Sequence, residues 1–162
     1  MAGIDSTLLH QYFTYKDGHL YNKKSRQRVK IGQKLGYKTN AQGYIQIGFK
    51  KKYYYVHRLI FLMFHDYLPE KIDHIDGNPL NNCIENLRAC TGSQNQFNKK
   101  LLDSNTSGFK NVHWRKDRSK WRVDVVICGK RTYFGSFDDI ELADLVAQEV
   151  RNKYHKEFAR HK

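Results

Sequence analysis

Asp73, His74, Asn86 and Asn95 stand in an order from which hydrolytic chemistry can be read. Asp73 and His74 are adjacent and precede the turn formers Asp76-Gly77-Asn78-Pro79. Asn86 follows His74 by 12 residues, and Asn95 lies 9 further on. A carboxylate and an amide oxygen are hard donors, so Asp73 and Asn95 suit one Mg²⁺ or Mn²⁺ rather than a thiolate-seeking metal. His74, beside a metal ligand, can deprotonate a water near neutral pH. An amide oxygen from Asn86 accepting from the ring Nδ1–H would fix the tautomer and leave Nε2 to take the proton. An Asp-His pair at a turn is by itself an ordinary hydrogen-bonded turn. The two asparagines in register give it a chemical reading.

The charge pattern says what such a centre would act on. The 162 residues carry a formal net charge of +13. Residues 1–56 hold 11 Lys and Arg against 2 Asp and Glu, residues 57–106 hold 5 against 6, and residues 107–162 hold 13 against 8. Two basic arms enclose a neutral-to-acidic middle. Each Lys or Arg placed on a phosphate releases a counterion, and interleaved tyrosines suit backbone and stacking contacts with nucleic acid. Carboxylates repel phosphate unless a cation lies between them, which gives the acidic middle a purpose. A solvated surface chosen for solubility is the bland alternative. No apolar run reaches the roughly 20 residues of a membrane helix, and the start has no secretory pattern. Cys83, Cys90 and Cys128 are too few and too scattered for a disulfide scaffold, and read as small buried hydrophobes. The expectation is an intracellular protein.

Short elements must position these residues. Residues 12–22 read as a hairpin about Asp17-Gly18. Tyr44–Ile47 and Tyr53–Val56 read as strands joined by a turn carrying Lys50, Lys51 and Lys52. Arg58–His65 is the first helix, ending before Pro69. Strands near Ile72–Ile75 and Leu87–Cys90 flank an Asn-rich loop in which Asn81 and Asn82 read as loop formers. Thr91 or Ser93 caps the next helix. After a polar connector at 101–107 come strands near 108–114, 120–128 and 131–137, then a helix over 139–156. Asp138 and Glu141 resemble its capping box, and Ala143, Val146, Ala147, Val150 and Tyr154 its apolar stripe. Trp121, Val123, Val125 and Ile127 face that helix; Arg122, Asp124 and Val126 face away.

Val56-His57-Arg58-Leu59-Ile60, then Asp73-His74-Ile75-Asp76-Gly77-Asn78, then Asn86-Leu87-Arg88 resemble the HNH nuclease motif in its ββα-metal form, in the branch of phage and intron-encoded homing endonucleases. The resemblance spans about residues 43–100. It implies Asp73 and Asn95 as metal ligands, His74 as general base and Asn86 as its orienter, with 5′-phosphate and 3′-hydroxyl products. Asn95 stands where many members have His, which favours Mg²⁺ or Mn²⁺ over zinc.

Gly108 to Arg115, Lys120 to Val123 and Lys130 to Phe137 resemble the plant ethylene-response-factor type of DNA-binding domain over about 107–160. There a three-stranded sheet enters the major groove with the helix behind it. The matching positions make Lys110, His113, Arg115, Arg122, Arg131 and Tyr133 the expected DNA contacts. Asn111 replaces a usual Gly, and Tyr133 a Trp. Lys50, Lys51, Lys52, His57 and Arg58 join the expected phosphate contacts, with packing beside the helix start as the alternative for His57.

The expected fold is thus α+β: a basic β-rich segment at 1–42, a nuclease core at 43–100, a connector at 101–107 and a sheet-on-helix DNA-binding domain at 108–162. The expected substrate is double-stranded DNA, nicked by a monomer in the cytoplasm of a bacterial host if the chain is phage-encoded, with no protein partner. The rival expectations are a DNA-binding regulator with an inactive centre and a nucleic-acid packaging protein.

Overall fold

A computed structural model describes residues 4–25, 29–36, 38–101 and 104–161; residues 102–103 of the expected connector lie outside them. The chain divides into two compact units, residues 1–90 and 91–162.

The first unit opens with a helix absent from the sequence expectations, α1 (Ser6–Tyr12), whose N-cap Asp5 accepts from the Leu8 N–H at 2.7 Å. Strands β1 (Phe13–Lys16) and β2 (His19–Asn22) form the expected hairpin about Asp17-Gly18. A second small antiparallel sheet holds β3 (Lys38–Thr39), β4 (Ile45–Phe49) and β5 (Lys52–Tyr55), with β4 central. Lys50 and Lys51 both take positive φ in the β4–β5 turn, at 47° and 61°. The mirror-image turn that joins tight antiparallel strands requires this.

Helix α2 (Val56–His65) buries seven of its ten residues, so it is a core helix rather than a surface one. Leu59, Ile60, Phe61, Leu62 and Met63 meet Leu9, Phe13, Leu20, Leu35, Ile47 and Phe49 in one cluster. The basic N-terminal stretch and the region after residue 43 therefore share a single core. A last hairpin pairs β6 (Lys71–His74) with β7 (Leu87–Cys90), placing Asp73 opposite Arg88 and His74 opposite Leu87.

The second unit begins with α3 (Gly92–Phe97). Thr91 caps it with a full capping box: its hydroxyl accepts from the Gln94 N–H, while the Gln94 side chain accepts from the Thr91 N–H. Then β8 (Val112–Arg115), β9 (Lys120–Ile127) and β10 (Lys130–Phe137) form an antiparallel meander backed by α4 (Ile140–His155). Val112, Val123 and Val125 pack on Ala143, Ala147 and Val150, with Trp121 and Ile127 alongside.

Several details depart from expectation. Asp139, not Asp138, caps α4, accepting from the Glu141 and Leu142 N–H groups, while Asp138 pairs with Lys120. Tyr154 leaves the apolar stripe for solvent. Cys128 is exposed in the β9–β10 turn, Cys83 is half-buried and Cys90 is buried.

Candidate active site

The centre is built on the β6–β7 hairpin and the loop that closes it. Strand alternation would send Asp73 and His74 to opposite faces, yet both are buried, each 5 % exposed. Each has its own partner. Arg88, the cross-strand neighbour of Asp73, donates from Nε and Nη2 to the same carboxylate oxygen, at 2.9 and 2.7 Å. A carboxylate this buried needs a counter-charge or a cation to stay ionised.

His74 Nε2 lies 3.0 Å from Asn82 Oδ1. An amide oxygen only accepts, so Nε2 carries the proton and the ring's lone pair is on Nδ1. The Asn82 amide nitrogen faces the Leu80 carbonyl at 3.5 Å, consistent with that orientation. Asn82 is 1 % exposed. The sequence reading gave it only a loop-forming role and gave the orienting role to Asn86.

Asn86 holds the turn after His74 instead. Its Oδ1 accepts from the Asp76 N–H at 3.0 Å, and its Nδ2 donates to Asp76 Oδ1 at 3.0 Å and the Asn81 carbonyl at 2.8 Å. Its carbonyl accepts from the Ile75 N–H at 2.9 Å. Asp76 also accepts from the Asn78 N–H and the Asn81 amide. Burial would raise the Asp76 carboxyl, but these hydrogen bonds outweigh it and hold the group below its ordinary range. The adjacent asparagines thus divide their work: Asn81 binds the turn and Asn82 the imidazole.

The β1–β2 hairpin braces this loop from behind. Gly18 has φ +74°, and a Cβ there would lie 2.9 Å from the Cys83 backbone nitrogen. The Tyr15 hydroxyl accepts from the Ile84 N–H at 3.1 Å. A side chain at position 18 would push the loop, and Asn82 with it, off the hairpin.

Two rings flank the imidazole, and a third packs behind them. His57 meets His74 edge-on at 5.2 Å between centroids, Tyr44 lies 5.9 Å from His74, and Tyr55 stacks on His57 at 5.6 Å. His57 is 7 % exposed, with no hydrogen-bond partner for its Nδ1. Burial, then the neighbouring His74 and Arg58, push its pKa down to about 3, so the ring is neutral throughout the physiological range. The expected phosphate contact from His57 gives way to packing, the alternative weighed for it. Arg58 is likewise engaged, donating to the carbonyls of Pro69 and Glu70 at 3.1 and 3.3 Å. Lys50, Lys51 and Lys52 are exposed on and beside their turn.

In the second unit, Asn95 sits half-buried in the middle of α3. Register places His113 opposite Arg122, Asp124 opposite Tyr133 and Val126 opposite Arg131, so His113, Arg115, Arg122, Arg131 and Tyr133 share the sheet face away from α4. A bulge between Tyr133 and Gly135 preserves this alignment. Gly135 has φ +132°, and a Cβ there would strike the Phe137 ring at 2.7 Å. Arg122 forms a two-pronged pair with Asp124 and lies 4.8 Å over the Tyr133 ring, while Arg115 pairs with Asp117. Lys110 does not join them. Its ammonium donates to the carbonyls of Phe97 and Lys99, both at 2.7 Å, and burial, with Arg151 and Arg160 near, lowers its pKa to about 8.

Among the described residues no three His, Cys, Asp or Glu side chains gather as a metal-binding group. A cation held through Asp73 would take its other ligands from amide oxygen, phosphate and water, which is how Mg²⁺ is commonly bound.

The candidate centre lies within the segment that the comparisons with known proteins match. The HNH endonuclease family model matches residues 54–97, from β5 through α3. Protein 3.8 of Escherichia phage T7 is 44 % identical over 89 residues, covering 55 % of this chain and 73 % of the relative. The chain belongs to the Protein 3.8 family. Its HNH domain contains Asp73, His74, Asn82, Asn86, Arg88 and Asn95, and supports nuclease activity at the level of the family. No solved structure matches this chain. Among its described residues no helix is long and apolar enough to cross a membrane.

Proposed function

We propose that this chain is a divalent-metal-dependent DNA endonuclease of the homing type that nicks one strand of double-stranded DNA, leaving 5′-phosphate and 3′-hydroxyl ends. The observation that carries the reading is the buried Asp73–His74 pair, its imidazole held by Asn82, inside the segment that matches HNH endonucleases. Asp73 and Asn95 are the oxygen donors that would hold one Mg²⁺ or Mn²⁺. The bound cation would neutralise the scissile phosphate and the departing 3′ oxygen.

The protein's part is proton transfer and orientation. The His74 lone pair accepts a proton from water as the water oxygen bonds to phosphorus and the P–O3′ bond breaks. Asn82 keeps the imidazole in one tautomer, and the neutral rings of Tyr44 and His57 limit its tilt. The sheet face bearing His113, Arg115, Arg122, Arg131 and Tyr133, read through the ethylene-response-factor resemblance, would grip the DNA. One chain offers one such centre, hence a nick.

A nicked plasmid tests the products. Ligase should reseal it without prior treatment if the ends are 5′-phosphate and 3′-hydroxyl; a requirement for phosphatase and kinase first would contradict the chemistry. The Arg88 ion pair favours a second reading, in which Asp73 is permanently neutralised and the chain is a DNA-binding regulator with an inactive centre. Sequence-specific DNA binding without cleavage in any divalent cation would support it.

A further inference from the structure

The most elaborate contacts outside the His74 centre lie at the far end of α3. Phe97, its last residue, lies flat on His155 of α4, with centroids 3.7 Å apart and planes 4° apart. His155 is itself anchored: it is buried, and its Nε2 donates to the Val126 carbonyl of β9 at 2.8 Å. The Lys110 ammonium takes the carbonyls of Phe97 and Lys99. Arg151 of α4, wholly buried, donates to the Lys110 carbonyl at 2.6 Å and Asn111 Oδ1 at 3.3 Å, fixing the loop that carries the ammonium.

A helix of six residues has too few internal hydrogen bonds to hold its shape alone. The Thr91–Gln94 box closes one end of α3 and Lys110 the other, while the Phe97–His155 stack fixes its rotation. Asn95 lies between the two ends. We infer that Phe97, Lys110 and His155 are positioning residues for Asn95. The sheet and α4 would thus hold α3 in place as well as offer a surface for DNA. This rests on the reading of Asn95 as a metal ligand.

The test uses the full chain as wild type, Phe97→Ala, Phe97→Tyr, Lys110→Met and Asn95→Ala. Three quantities are measured: Mn²⁺ binding by titration calorimetry without DNA, exchange of the amides of residues 92–98, and DNA affinity in EDTA. Phe97→Ala and Lys110→Met should exchange at least about tenfold faster over α3 and need about tenfold more Mn²⁺ for half-saturation. Their DNA affinity should stay at the wild-type value, and Phe97→Tyr should restore both properties. Wild-type Mn²⁺ binding by Asn95→Ala would remove the ligand assignment on which the inference rests. Loss of Mn²⁺ binding in Asn95→Ala, with wild-type binding in both Phe97→Ala and Lys110→Met, would overturn the clamp and leave the ligand reading standing.

Discussion

His74 Nε2 donates to Asn82 Oδ1 across 3.0 Å, in a place where neither side chain meets solvent. The bond fixes the tautomer of the ring, with the proton on Nε2. It also gives an asparagine in an Asn-rich loop, 1 % exposed, the imidazole as its partner.

Asn82→Ala removes the acceptor and leaves a buried N–H unpaired, so the ring can turn or change tautomer. Nicking at saturating DNA should slow about 10- to 100-fold, the usual cost of losing an orienting partner. DNA affinity should be unchanged. A gel-based nicking time course with a parallel binding titration checks both, and an unchanged rate would remove the orienting role.

Arg88→Met should unfold at lower urea than wild type, because it takes the guanidinium from a carboxylate that is 5 % exposed. Breaking a buried pair from one side costs on the order of 3 kcal/mol. Added Mn²⁺ should restore part of this if Asp73 holds the cation, since a ligand that binds only the folded state stabilises it. No recovery with Mn²⁺ would mean that Asp73 does not bind it.

His57 gives the stability a pH dependence of known sign. Its folded pKa, about 3, lies below the unfolded value near 6.5, so the unfolded chain binds the extra proton between those two pH values. The stability held by the neutral ring is complete above pH 6.5 and is lost as pH falls towards 3. By pH 5 the loss attributable to this group is roughly 2 kcal/mol. His57→Phe should flatten the unfolding free energy between pH 7 and 5 by about that amount, as read by urea titration. Equal slopes in both proteins would show that His57 is not buried as described.

Arg122→Ala should weaken DNA binding and lower the slope of log affinity against log salt by about 1, as expected for one lost phosphate contact. The melting temperature should fall, because Asp124, 7 % exposed, loses its two-pronged partner, so binding is compared at a temperature where the variant is folded. Fluorescence anisotropy at several salt concentrations measures the slope. An unchanged slope would take Arg122 out of the interface, and its pair with Asp124 would be its only role.

Much of this architecture was legible because local rules and tertiary packing agree in it. The Asp17-Gly18 hairpin, the β6–β7 pair and the Trp121–Ile127 alternation all follow from turn chemistry and period-two patterning. Helix α1 escaped because Asp5 capping a two-turn segment is a weak signal without the core that buries Leu9. In the candidate centre, the sequence placed Asp73 and His74 on a strand, and both lie buried on β6. That Asn82 rather than Asn86 contacts the imidazole could not be read, since both are loop asparagines at plausible distances from His74. Only the fold shows which one points inward. The carbonyl contacts of Arg58 and Lys110 were illegible for a related reason. A basic residue beside a helix or a loop looks the same in sequence whether it meets a phosphate or a backbone carbonyl.

The central claim is most directly tested with supercoiled plasmid, incubated with wild type and with His74→Ala in Mg²⁺, Mn²⁺ or EDTA. Phage and host genomic DNA run alongside would supply a specific target. The account predicts metal-dependent conversion to open circles by wild type, none in EDTA, and none by His74→Ala, which should still bind the DNA. Full cleavage by His74→Ala, or wild-type cleavage that persists in EDTA, would contradict it.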